Sequence, residues 1–178
     1  CVERGHLSIQ RRVVSSYASG LACLVEDEMD LGVTVIDMGG GTTTIAVFYS
    51  GQLVFADGVP VGGNHVTNDI ALGLSTPKSH AERMKTLYGS TLPSPTDEKD
   101  IMEVPLIGEE DAANATHVPR SALTGIIQPR IEETLELVRD KLEMGGGVAR
   151  AGKRVVLTGG ASQLQGMREV TARGLDKQ

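Results

Sequence analysis

At 178 residues with 40% hydrophobic side chains, the chain can bury a substantial core, as one good-sized domain or two small ones. A net charge of −6 and a pI near 5.2 exclude a general nucleic-acid partner, because no basic excess exists to displace counterions from a phosphate backbone; aromatics, at 3%, leave few rings to stack on bases. Cys1 and Cys23 make no CxxC pair, and His6, His65, His80 and His117 have no HxxxH or HExxH spacing, so a reducing compartment and no metal site built on histidine are expected.

In chain order, "SSYASGLACLVEDE", Ser15 to Glu28, reads as one helix with Leu21, Leu24 and Val25 on a common face, broken by Gly32. "VTVID", Val33 to Asp37, is a continuous apolar strand. After the glycines that follow it, "TIAVFYSGQLVFADGVPV" continues as strands joined at Ser50-Gly51 and again near Asp57-Gly58. "NHVTNDIALGL" turns helical at Asn64, with Val66, Ile70 and Leu74 spaced by four. A second helix follows, with Ser79 as its cap and Glu82 completing a capping box.

Between Ser90 and Ser121 the composition shifts to Pro, Asp, Glu and Ala, with one strand candidate, Ile101 to Gly108. This predicts a smaller subdomain inserted into the main one. Pro129 then opens an amphipathic helix carrying Ile131, Leu135, Val138 and Leu142, ended by glycines 145 to 147. "KRVVLTGG" is a strand running into a Gly-Gly turn, and "SQLQGMREVTARGL" a helix with Ser162 and Gln165 as a capping box. The alternation of strands and helices argues for an α/β fold. No apolar run approaches the roughly 20 residues that span a bilayer, and no signal-peptide pattern opens the chain. It begins at Cys1 and stops within a helical pattern, which is the expectation for a piece of a longer protein.

The chemistry is concentrated in "IDMGGGTTTIAVF". Neither a P-loop nor a dinucleotide fingerprint fits, since both lead into a helix and this turn leads into a strand without a lysine. Gly39, Gly40 and Gly41 can still bring backbone amides together around an anion, with the Thr42 and Thr43 hydroxyls beside them. Asp37, at the strand end, is placed to hold a hydrated Mg²⁺. The alternative is an ordinary tight hairpin, which needs one or two glycines rather than three. In "LTGGAS", Gly159, Gly160 and Ala161 offer a flat surface against which an adenine could lie, or simply a close strand-to-helix crossing. Glu82 and Lys85, one helical turn apart, suit ribose hydroxyls, or make a capping box and a surface ion pair.

"IDMGGGTTTIAVF", "VPVGGNHVTNDIALGLSTPKSHAERMKTLYGS" and "VVLTGGASQLQG" together closely resemble the bacterial cell-division FtsA family of the actin and Hsp70 ATPase superfamily, and "SYASGLACL" resembles the superfamily's first connecting helix. The resemblance implies an actin-like (ribonuclease H-like) ATPase lobe, residues 1–75 plus 129–178, with a smaller inserted α+β subdomain at 76–128. It implies ATP and Mg²⁺ as cofactors: Asp37 near the metal, Gly39, Gly40, Gly41, Thr42 and Thr43 around the β- and γ-phosphates, Gly159, Gly160 and Ala161 on the adenine, Glu82 with Lys85 on the ribose. It further implies a scaffold at the cytoplasmic face of the inner membrane at the division site. There the inserted subdomain binds the C-terminal tail of the tubulin-like protein FtsZ, the intact protein self-associates into polymers, and a segment absent here reaches the membrane. The first phosphate motif of the superfamily is also absent from these residues, so weak ATP binding and hardly any hydrolysis by this chain alone are expected. An ATP-driven enzyme of the same fold, sugar kinase-like or Hsp70-like, is the alternative, and an α/β domain without nucleotide a third.

Overall fold

The computed structural model describes residues 3–6, 8–108, 115–146 and 152–176. Its centre is a four-stranded sheet ordered β3-β2-β1-β6, from β1 (Val33–Met38), β2 (Thr43–Tyr49), β3 (Gln52–Val59) and β6 (Arg154–Thr158). The first three strands form an antiparallel meander, and β6 runs parallel to β1, pairing Val33 with Arg154 and Asp37 with Thr158. β1 is buried on both faces, which is why its sequence is continuously apolar instead of alternating.

One face of the sheet, with Ile36, Met38, Ile45 and Val47, belongs to the larger core cluster, together with residues of α3 (Gly63–Gly73), α4 (Lys78–Tyr88), α5 (Arg120–Met144) and α6 (Met167–Leu175). On the other face Val33, Val35, Ala46 and Phe48 pack with Leu24, Tyr17 and Met29. The helix expected over Ser15 to Glu28 is two helices, α1 (Ser15–Cys23) and α2 (Glu26–Leu31), with extended backbone at Leu24 and Val25. Its buried side also differs: Leu21 and Val25 are exposed, while Ser16 and Gly20 face inward. The reason is Phe48. A Cβ on Gly20 would stand 2.3 Å from its ring, and Tyr17 stacks on it at 6.0 Å, so helix and sheet approach where the side chain is smallest.

The Ser50-Gly51 hairpin is present, but Asp57-Gly58 makes no second turn: β3 runs through to Val59, with Asp57 opposite Ile45 and Gly58 opposite Thr44. Ladder pairing outweighs the turn preference of the dipeptide. α4 starts at Lys78 after Pro77, whose φ of −57° already suits a helix, so Ser79 lies inside the helix and caps nothing. Pro129 is likewise internal to α5 and opens nothing. The buried stripe Leu123, Ile127, Ile131, Leu135, Val138 and Leu142 runs unbroken past it. Each such side chain contributes about 1.5–3 kcal/mol, so the stripe outweighs the roughly 3 kcal/mol that an internal proline costs. Pro129 and Gly125, whose carbonyl loses its donor, are both on the exposed side, where water can serve the carbonyl.

The strand candidate at Ile101 to Gly108 is shorter than expected, β4 (Ile101–Val104), and pairs with a second strand, β5 (Thr116–Pro119), as a separate two-stranded sheet. Met102 and Val104 join the larger core. α5 ends at Met144 with Gly145 as its C-cap; Gly147 and Cys1 lie outside the described residues. After β6 the chain makes a 3-10 turn, Gly160–Gln163, and α6 begins only at Met167 behind Gly166, which has φ of +82°. Ser162 and Gln165 therefore form no capping box: the Ser162 hydroxyl donates to the Gly159 carbonyl at 2.7 Å.

Candidate functional site

The glycine turn is shaped by its carbonyls. The Gly39 amide closes the turn on the Thr42 carbonyl at 2.9 Å. The Gly39 and Gly40 carbonyls accept the first amides of α3, from Gly63 at 2.9 Å and Asn64 at 2.8 Å. This contact requires bare backbone at Gly62, because a Cβ there would lie 2.5 Å from the Gly39 carbonyl oxygen. With the carbonyls turned to the helix, the amides of Gly40, Gly41 and Thr42 have no acceptor among the described residues. Adjacent free amides of this kind form a concavity that suits an anion. Gly41 and Thr42 are exposed, and a Cβ at Gly41 would meet nothing within 4 Å. Thr43 differs from its neighbours: it is fully buried, and its hydroxyl donates to the Val61 carbonyl at 2.8 Å, holding the β3–α3 connection against β2.

Asp37 is brought to the second glycine motif by strand register. It pairs with Thr158, and Gly159 follows with φ of +85°; a Cβ there would stand 2.6 Å from Asp37 Oδ1 and 2.5 Å from the Met38 carbonyl oxygen. The Ser19 hydroxyl of α1 donates to Asp37 Oδ2 at 2.6 Å and orients the half-buried carboxylate. No group of three or more His, Cys, Asp or Glu gathers to hold a metal among the described residues. A lone oriented carboxylate beside an anion-binding turn does fit Mg²⁺, which keeps most of its water and takes its other ligands from phosphate.

A cleft of about 390 Å³ is lined by Gly39 and Gly40, by Glu82 and Lys85 of α4, and by Gly160 and Ala161. Gly160 faces open space, so a flat group can lie against it. Lys85 is not on the surface: it is 9% exposed, and its amine donates to the Gly63 carbonyl (3.0 Å), Thr67 Oγ1 (2.9 Å) and Glu82 Oε2 (2.7 Å). Those three bonds use all three ammonium protons. Thr67 also donates to Glu82 Oε2. Glu82 Oε1 is thus the atom of the pair left for a ligand, and Lys85 is the strut that fixes it.

Burial works against the Glu82 carboxylate, but the hydrogen bonds from Lys85 and Thr67 and the Lys85 charge outweigh it and hold its pKa below the usual value. A carboxylate depressed in the folded state adds stability above its unfolded pKa and loses it as the pH falls through the folded one. The melting temperatures of wild type and Glu82→Gln are therefore expected to differ at neutral pH and to converge between about pH 5 and pH 3. A gap unchanged at the acid end would mean that the carboxylate charge plays no part.

The structure thus assembles Gly39, Gly40, Glu82, Lys85, Gly160 and Ala161 around one cleft, with Gly41 and Thr42 next in the chain to it, and packs Asp37 against Gly159 outside the residues that line it. Ser19, Gly62, Gly63 and Thr67 were not singled out from the sequence. The consecutive glycines of "VGGNHV", directly before a helix, carried a signal of close backbone approach, whereas nothing in the sequence couples Ser19 to Asp37.

The fold places the chain in a known class. Among solved structures, MreB 5 of Spiroplasma citri bound to AMPPNP matches with a TM-score of 0.70 at 20% identity, covering 91% of this chain and 51% of that one. A MamK double helical filament matches with a TM-score of 0.67 at 16% identity, over 90% and 50%. The chain is an actin-like lobe. A family model for the cell division protein FtsA matches residues 34–178, and the FtsA of Rhizobium meliloti strain 1021 is 57% identical over 173 residues. The chain belongs to the FtsA family. That alignment covers 97% of this chain and 39% of the relative, so the chain spans about two fifths of the relative's length. No described helix is long and apolar enough to cross a membrane.

Proposed function

We propose that the cleft is one wall of an ATP site in an actin-like scaffold of bacterial cell division. The free amides of Gly40, Gly41 and Thr42 receive the β- and γ-phosphates, with Gly39 and Thr43 holding the turn in shape. Glu82 meets the ribose, oriented by Lys85, and Gly160 and Ala161, with only one methyl group between them, give the adenine a flat surface, while Gly159 holds the turn against Met38 and Asp37. Mg²⁺ sits near Asp37, where it neutralises phosphate charge. The reading rests on the convergence of the two glycine motifs and the α4 pair on a single cleft, a coincidence that a hairpin, a helix crossing and a surface ion pair would not separately produce. The AMPPNP in the Spiroplasma citri relative of the fold supports the same assignment.

At the level of the intact protein, nucleotide clamps this lobe against another and tunes self-association, for which the filament of MamK is the parallel. Its chemistry is at most a weak, regulatory ATPase. The subdomain at 76–128 binds the C-terminal tail of FtsZ and tethers the FtsZ ring to the cytoplasmic face of the inner membrane at the division site. The test is a titration of labelled FtsZ tail peptide into the intact protein, with and without MgATP. Saturable binding weakened by charge changes within residues 76–128, and not by Asp37→Ala, is the expected result. An intact, folded protein that binds neither peptide nor MgATP overturns the reading.

A further inference from the structure

Two walls of the cleft are tied together by residues outside its lining. The α4 wall ends at Tyr88, and a second wall, the turn at residues 160–163 with Leu164, runs on to Gln165. Between them stands Arg120, the first residue of α5. Its Nε donates to the Tyr88 carbonyl at 3.0 Å and its Nη2 to Gln165 Oε1 at 2.8 Å. The Thr91 amide and hydroxyl both donate to the Gln165 carbonyl, at 2.8 and 3.0 Å. Close packing completes the joint: a Cβ on Gly89 would fall 2.9 Å from Leu164 Cδ2, and one on Gly166 would fall 2.7 Å from Thr91 Oγ1.

Arg120 is itself anchored. Asp97 is 1% exposed, its Oδ2 accepts the Ser94 amide at 2.8 Å, and its Oδ1, which has no hydrogen-bond partner among the described residues, lies 3.8 Å from Arg120 Nε. A buried carboxylate needs a counter-charge, and the Arg120 guanidinium supplies it while its Nε–H is given to Tyr88 and its Nη2 to Gln165. The loop that carries Asp97 is also held to α5 by the Arg120 amide on the Asp100 carbonyl and the Ser121 amide on the Asp97 carbonyl.

We propose that Arg120 is a positioning residue for the nucleotide cleft: by bridging Tyr88 and Gln165 it sets the separation of the α4 wall from the turn that faces the base. The inference rests on the nucleotide reading above. It adds that residues 94–108 and 115–121 sense occupancy. A nucleotide touching both walls favours the closed bridge, and by linkage the closed bridge favours nucleotide.

The experiment is MgATP affinity in the intact protein, for wild type, Gln165→Ala and Gln165→Glu. Gln165 is exposed, so replacing it cuts the bridge without stripping Asp97 of its counter-charge, which Arg120→Ala would do. Gln165→Ala is expected to bind MgATP about tenfold more weakly, the scale of one hydrogen bond to a charged group, with little change in melting temperature. Gln165→Glu, which keeps an acceptor and adds a charge opposite the guanidinium, is expected to restore binding. MgATP should also slow amide exchange in residues 94–108 and 115–121 of wild type but not of Gln165→Ala. Equal affinity in wild type and Gln165→Ala, or a loss that Gln165→Glu does not restore, overturns the bridge and leaves the nucleotide site standing. Absence of MgATP binding by wild type removes the site and overturns both.

Discussion

Gly159→Ala is expected to lower the stability of the protein by about 3 kcal/mol, a fall of about 10 °C in melting temperature for a chain of this size. Two costs add. The backbone at Gly159 has φ of +85°, which a side chain disfavours, and the new methyl would stand 2.5 Å from the Met38 carbonyl oxygen and 2.6 Å from Asp37 Oδ1. Neither neighbour is free to move: Met38 is in the central strand, and the Asp37 carboxylate is held by Ser19. Gly160→Ala is the control. Its methyl would meet nothing within 4 Å and its φ is not in the left-handed region, so stability should change by less than about 1 kcal/mol. The methyl would, however, stand on the surface proposed for the base, and MgATP affinity should fall. Thermal unfolding of the two variants distinguishes the roles of adjacent glycines, and equal melting temperatures would show that the strand-to-turn contact is looser than described.

Lys85→Met should cost about 2–3 kcal/mol and weaken MgATP binding at least tenfold, although the Lys85 amine itself contacts no ligand in the arrangement proposed. The substitution leaves Thr67 Oγ1 without its donor, takes one of two side-chain donors from the Gly63 carbonyl, and leaves Glu82 Oε2 with Thr67 alone. Glu82 would then lose the geometry that aims its other oxygen into the cleft. Lys85→Arg is not expected to rescue. The Lys85 Nζ already lies 3.4 Å from where a Cβ on Gly63 would be, and a planar guanidinium is larger than the ammonium group it replaces. A double-mutant cycle with Glu82→Gln measures the coupling of the two residues, both in unfolding and in MgATP affinity. Additive effects in both readouts would show that Lys85 acts independently of Glu82.

Where the sequence misled, a local preference met a tertiary contact. The Asp57-Gly58 dipeptide favours a turn, yet β3 continues through it because β2 supplies a full ladder of partners. Pro129 signals a helix start, yet it sits inside α5 because six buried side chains on the opposite face hold the helix through it. Ser79 and Ser162 sit in cap-like spacings, but Pro77 and Gly166 set the helix starts by backbone conformation. The Glu82 and Lys85 spacing was legible as a pair on one face; that the lysine is buried and uses all three protons on the protein was not, since Gly63 and Thr67 come from another helix.

By itself the sequence determined the α/β class, the order of the main elements, both glycine turns and the family, because each is written in contiguous residues through periodicity, backbone freedom or motif. Tertiary structure alone decided that these pieces make one cleft. Asp37 meets Gly159 only through the parallel register of β1 on β6, and the turn at Gly39 to Gly41 has free amides only because α3 takes up its carbonyls. Glu82 and the turn at 160–163 line the same cleft, and Arg120 and Gln165 link the two elements that carry them. Those contacts join residues from 24 to 122 positions apart along the chain, as in Gly40 with Asn64 or Asp37 with Gly159, and no local rule of propensity or spacing reaches that far; only the packing of helices on a twisted sheet brings them together.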